Sequence, residues 1–141
     1  ILEYRQAFFR YIRPGVTPDD VLVRARKDME GVLAKTRFAR EGHRKAAEEM
    51  LTFRGHLQHP VGMTVHDPGV IWGKPFQAGV VFTVDPMMWL PDEKLYVRME
   101  DTIVVTTDGM ENFTPDLAST PEEIEAVMRQ DGILTRVPRL P

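Results

Sequence analysis

Three of the chain's four histidines, His56, His59 and His66, fall in one short stretch with Asp67, Gly55, Gly62 and Gly69 and two prolines that would break any helix. Neutral imidazole is the commonest protein ligand for metals, and it titrates near neutrality. His59 and His66 are seven positions apart, around the β-leaning Val61–Val65. On a strand that odd spacing points them to opposite faces. The expectation is therefore a short strand over 61–65 with the two histidines in loops at its ends, where a scaffold presents chemistry. Further on, Asp85 closes a β-branched run just before Pro86, and Arg98 and Glu100 are two apart on one strand face. Facing solvent, such an acid–arginine pair is an ordinary ion pair. Facing a cleft, it is a carboxylate ligand with a positive neighbour that orients it. His59, Asp85 and Glu100 together give one imidazole and two carboxylates. That set suits Mn, Zn, Co or Fe better than calcium, which prefers oxygen alone. Three ligands leave open positions at which water can be activated.

These residues need a scaffold. A length of 141 residues fits one domain. The net charge of −3, from 18 basic and 21 acidic residues, leaves no electrostatic footprint for nucleic acid or an anionic membrane. No apolar run approaches the ~18–20 residues of a membrane span. With no cysteine, disulfides, thiolate zinc sites, iron–sulfur clusters and a cysteine nucleophile are excluded. A cytoplasmic setting is expected. Because the chain opens at Ile1 already inside an amphipathic pattern, it reads as a piece of something longer.

Tyr4, Phe8, Tyr11 and Ile12 predict a helix over 1–12, stopped by Arg13-Pro14-Gly15. Thr17 as cap, Pro18, Asp19 and Asp20 open a second helix to about Arg37. Capping explains both aspartates, which diverge too far to be a metal pair. A third helix over 41–51 buries Ala46, Ala47 and Met50 and leaves His43 outside. Strands are expected over 78–84, 95–100 and 101–107, with a loop over 69–77 and a proline-rich loop over 87–94. Asp108-Gly109 signals a hairpin into a return strand at 110–113. Thr120-Pro121-Glu122-Glu123 opens a last helix with capping-box chemistry, before an extended tail from Asp131. The order predicts an α+β fold, with helices packed on one face of a curved antiparallel sheet.

Four motifs carry a resemblance: His59-x-x-Gly62-x-x-x-His66-Asp67; Gly79 to Asp85-Pro86; Val97-Arg98-Met99-Glu100-Asp101 and the strand after it; and Asp108-Gly109-x-Glu111-Asn112-Phe113-Thr114. With the Arg13–Pro18 turn, they resemble the pita-bread metallopeptidases, in the branch of Xaa-Pro aminopeptidases and prolidases. The resemblance implies hydrolysis of the peptide bond preceding proline by two divalent ions, manganese foremost, with zinc or cobalt as alternatives. It implies His59 and Asp85 as terminal ligands of one ion and Glu100 as the bridge between two. It implies His66 in the substrate pocket, stabilising the transition state, and Arg98 holding a ligating carboxylate. His56 stands one step from a second family histidine, whose place Gly55 occupies, and is read as its substitute in substrate binding.

The chain also departs from the pattern. The family carries glutamate where this chain has Asp85, one methylene shorter. The family's first half, with two further aspartate ligands, is missing, and Asp19, Asp20 and Asp28 precede the motifs on helices and cannot replace it. The expectation is thus the C-terminal half of a pita-bread catalytic domain, incomplete and inactive alone. Its partners would be a proline-containing peptide and either the missing half or a second copy, since a half-sheet leaves an unpaired edge. Two alternatives stay open: a catalytically silent relative that binds, and a metal-free, creatinase-like hydrolase.

Overall fold

The structure is a computed structural model and describes residues 1–136. Helix α1 (Leu2–Tyr11) buries Tyr4, Ala7 and Phe8, with Ile12 continuing the stripe. It gives way to the turn at Gly15, which adopts φ +82 and donates its N–H to the Phe76 carbonyl at 3.0 Å. Glycine meets that left-handed conformation without steric strain.

Helix α2 (Pro18–Lys35) opens on a reciprocal capping box, in which Thr17 accepts from the Asp20 N–H and the Asp20 carboxylate reaches back to Thr17. Thr17→Ala is expected to cost about 1 kcal/mol, or roughly 3 °C in thermal melting. The hydrogen bonds from the Thr17 hydroxyl and N–H hold Asp20 below the usual carboxylate range. A depressed carboxylate contributes stability above its unfolded pKa and loses it as pH falls through the folded one. The gap between wild type and Thr17→Ala should therefore narrow below about pH 4, as parallel melts at pH 7 and pH 3 would show. Helix α3 (Glu41–Thr52) buries Ala46, Ala47 and Met50. His43 is half-buried, with Nε2 2.6 Å from Glu93 Oε1.

The strands are β1 (Leu57–Pro60), β2 (Val81–Val84), β3 (Met87–Leu90), β4 (Leu95–Arg98), β5 (Asp101–Val105) and β6 (Met110–Asn112). Four of them form an antiparallel sheet in the order β1-β2-β5-β6, while β3 and β4 pair as a separate hairpin. Phe82 and Val84 of β2 and Ile103 and Val105 of β5 are fully buried against Tyr4, Phe8, Val21 and Leu22 of the helices. Burial of each large side chain is worth roughly 1.5–3 kcal/mol over leaving it exposed. Helices α4 (Pro121–Met128) and α5 (Ile133–Arg136) follow, the first on a second capping box between Thr120 and Glu123. The α+β layout with helices on one face of the sheet is as expected. Among the described residues, no helix is long and apolar enough to cross a membrane.

The structure corrects the sequence reading at four places. The strand expected over 61–65 lies earlier, at β1, so His59 is within a strand and Val61–Val65 is loop. The Asp67 carboxylate captures the backbone N–H and hydroxyl of Thr64, a local bond that competes with ladder formation. The expected loop over 87–94 contains β3, whose four residues pair with β4 in full register, Pro86 and Pro91 bracketing the strand without occupying it. The strand expected over 78–84 is trimmed to β2 by a turn at Ala78-Gly79. The tail is not wholly extended, since Ile133–Arg136 is helical, and its part beyond Arg136 lies outside the described residues.

Candidate metal centre

Asp85 follows β2 directly, where Pro86 removes the next ladder donor. Its side chain has no exposure, and its Oδ1 has no hydrogen-bond donor. Arg98, the last residue of β4, brings Nη2 to 2.6 Å from Asp85 Oδ2 and donates to Glu100 Oε2 at 2.7 Å. His59 faces the same group from β1, with Nε2 3.5 Å from Glu100 Oε1. His59 Nδ1 lies 3.2 Å from the Pro60 carbonyl, which can only accept. That assigns the proton to Nδ1 and leaves the Nε2 lone pair facing the carboxylates, and Nε2 is buried with no partner. Burial pushes Asp85 up to about 6; the Arg98 guanidinium opposes this and the Glu100 carboxylate reinforces it.

The donor set fits a divalent ion. Two carboxylates against one guanidinium leave an excess negative charge, and two buried atoms, His59 Nε2 and Asp85 Oδ1, have unsatisfied lone pairs. A buried polar group without a partner calls for an explanation, and a cation supplies one. Among the described residues, no three His, Asp or Glu side chains are yet closed around a single point, because Arg98 sits between the two acids. An ion bound there would have to displace the guanidinium.

His66 is exposed on the loop after β1, its ring centroid 4.1 Å from that of His59. Gly62 lets this loop close, since a Cβ there would run into the Asp67 carboxylate. Gly62→Ala is expected to push Asp67 off Thr64 and loosen the loop bearing His66. Hydrogen exchange should quicken over 61–69 while the global melt moves little; unchanged exchange would contradict this.

His56 is placed elsewhere than expected. It is fully buried, with Nε2 2.7 Å from the Met50 carbonyl and Nδ1 accepting the Met87 N–H at 3.3 Å. Rings of Tyr4, Phe8 and Phe53 surround it at 5.2, 5.9 and 5.1 Å. Burial lowers its pKa and keeps it neutral. With both nitrogens engaged in the core, it cannot serve as a substrate-binding residue. Its carbonyl instead accepts the Asp85 N–H at 2.7 Å, so His56 braces the backbone on both sides of Pro86.

Sequence reasoning also missed Arg5. From α1 it forks onto Asp101, with Nη2 2.6 Å from Oδ1 and Nε on Oδ2, both residues buried. Burial acts to raise the Asp101 pKa, but hydrogen bonds from Arg5, Asn112 and Thr114 outweigh it and hold the group below its ordinary range. The partners are 96 positions apart, and only the Asp101 and Asn112 motifs hinted that something gathers there.

An imidazole and two carboxylates thus meet beside antiparallel strands backed by helices on one face. The model of metallopeptidase family M24 matches residues 1–107, and the chain belongs to that family. Its fold is the pita-bread architecture, and its relatives are of the Xaa-Pro aminopeptidase branch. The Xaa-Pro aminopeptidase of Escherichia coli (strain K12) is 30% identical over 146 residues, covering 91% of this chain and 32% of that protein. Xaa-Pro aminopeptidase 3 of Mus musculus is 28% identical, covering 90% and 27%. Among solved structures, zinc-substituted E. coli aminopeptidase P in complex with product superposes with a TM-score of 0.64 at 28% identity, covering 91% of this chain and 32% of that one. The chain thus spans about a third of the length of these relatives.

Proposed function

We propose that this chain carries the C-terminal half of the site of a metal-dependent peptidase that hydrolyses the bond preceding proline. The observation that carries the reading is the meeting of His59, Asp85 and Glu100, with unsatisfied lone pairs on the first two, in a chain of the M24 family. His59 and Asp85 would be ligands to one ion, with Glu100 as a further ligand. The remaining ligands, two aspartates, come from outside this chain, supplied by the first half of the domain or by a partner. The ions would be manganese or, as in zinc-substituted E. coli aminopeptidase P, zinc. When bound, they supply Lewis acidity to the scissile carbonyl and lower the pKa of a water.

The chain's own residues do the rest. Arg98, released from between the acids, orients a ligating carboxylate by charge. His66, on its loop beside His59, reaches the substrate and donates a hydrogen bond to the carbonyl oxygen as negative charge develops there. The bond before proline is a tertiary amide without N–H, so recognition must come from the pyrrolidine ring and the carbonyl. Asp85 in place of the longer glutamate, with Arg98 already neutralising it, favours a second reading: a silent homologue that binds peptides without cleaving them.

The test is hydrolysis of matched peptides, Xaa-Pro-Xaa against Xaa-Ala-Xaa, by this chain combined with the half of the domain that supplies the remaining ligands, with added manganese and with chelator. The proposal expects cleavage of the proline peptide alone, abolished by chelator. Equal cleavage of both, or cleavage that survives chelation, would overturn it; peptide binding without turnover would favour the silent reading.

A further inference from the structure

The motif residues Asp101, Asn112 and Thr114 have no part in the site as described, yet they converge. Asp101 Oδ1 receives Arg5 Nη2 at 2.6 Å and Asn112 Nδ2 at 2.9 Å. Thr114 Oγ1 lies 3.0 Å from that oxygen and 2.9 Å from Asn112 Oδ1, sharing one proton between them. Asn112 is in turn held by the Thr114 N–H on its Oδ1 at 2.8 Å. One carboxylate thereby ties α1, the start of β5 and the end of β6 together.

Its position relative to the site is specific. Asp101, Ile103 and Val105 alternate inward along β5, toward the helices. Successive side chains on an extended chain point to opposite faces, so anchoring Asp101 on the helix side turns Glu100 to the other, toward His59. Asp101 also pairs with Val84, the residue before Asp85. The backbone it pins thus runs beside both acids of the candidate site.

We infer that the Arg5–Asp101–Asn112–Thr114 cluster is a positioning device that sets Glu100 against His59 and Asp85. It touches neither substrate nor ion and acts through the backbone alone. The inference deepens the metallopeptidase reading and rests on it for the purpose of the site, though not for the geometry.

The experiment uses two readouts on the purified chain and on Asp101→Asn, Asn112→Ala, Thr114→Val and Thr114→Ser. One is the NMR signals of the histidine rings without added metal; the other is titration with cobalt(II) chloride followed by its visible absorption. The expected result is that His59 ring signals shift in the first three variants while those of His43 stay fixed. Cobalt affinity should fall about tenfold, as for removal of groups that orient ligands, and Thr114→Ser, which keeps the hydroxyl, should behave as wild type. Should Asp101→Asn fail to fold, the half-buried Asn112 and Thr114 variants carry the same test. Variants that melt earlier with His59 signals and cobalt affinity unchanged would overturn the inference. If wild type takes up no cobalt but the His59 signals still shift, the positioning inference stands and the metallopeptidase reading falls. If neither moves, the inference falls on its own.

Discussion

In the complete enzyme, His59→Ala is expected to abolish metal-dependent turnover, lowering kcat/KM by at least about 10³-fold, or some 4 kcal/mol of transition-state stabilisation. His59 is the imidazole whose buried, unpartnered Nε2 lies 3.5 Å from Glu100 Oε1. Without it, Asp85 and Glu100 remain around Arg98 as a closed ion-pair cluster with no neutral donor. The ring is half-buried, so the fold should survive its truncation, and circular dichroism should match wild type. Glu100→Ala should be as severe, because it removes the acid nearest His59 and leaves Arg98 to Asp85 alone. Near-normal turnover in either variant would refute the ligand assignment. His66→Ala separates the roles: from its exposed loop it should slow the reaction while leaving metal bound. Loss of metal in that variant would show its part to be misassigned.

Arg5→Met is expected to be the most destabilising single change, at about 3–5 kcal/mol. The substitution leaves Asp101 charged, 3% exposed, and with only Asn112 and Thr114 to satisfy it. The cost arises from the stranded charge and not from lost packing, since methionine replaces most of the arginine stem. The double variant Arg5→Met/Asp101→Asn should therefore recover part of the loss. Urea unfolding of the two variants and wild type measures this directly. A loss below about 1 kcal/mol for Arg5→Met would mean that the pair behaves like an exposed one.

What could be read from the sequence was whatever depends on neighbours along the chain. The cap at Thr17, the capping box at Thr120, the strand stop at Asp85-Pro86 and the Asp108-Gly109 hairpin all rest on rules spanning a few residues. Asp85 was marked by the strand stop at Pro86, and Arg98 and Glu100 by the alternation over 95–100, a run that the structure divides at Arg98, leaving Glu100 between β4 and β5. What was not legible depends on distant pairing. Met87–Leu90 is a strand because β4 lies opposite, and two prolines in the sequence concealed it. His56 reads as a site histidine until the Met50 carbonyl and the Met87 N–H, 6 and 31 positions away, occupy both its nitrogens. Arg5 carries no local signal of its role, which exists only because β5 brings Asp101 to it.

The most direct test of the account is where a metal ion sits. Crystals of the chain equilibrated with manganese(II) would place the ion by its anomalous scattering. The account predicts a peak roughly 2.0–2.3 Å from His59 Nε2 and from oxygens of Asp85 and Glu100, with Arg98 swung away from the space between the acids. A peak at the surface pair His43–Glu93 instead, or none at saturating manganese, would contradict it.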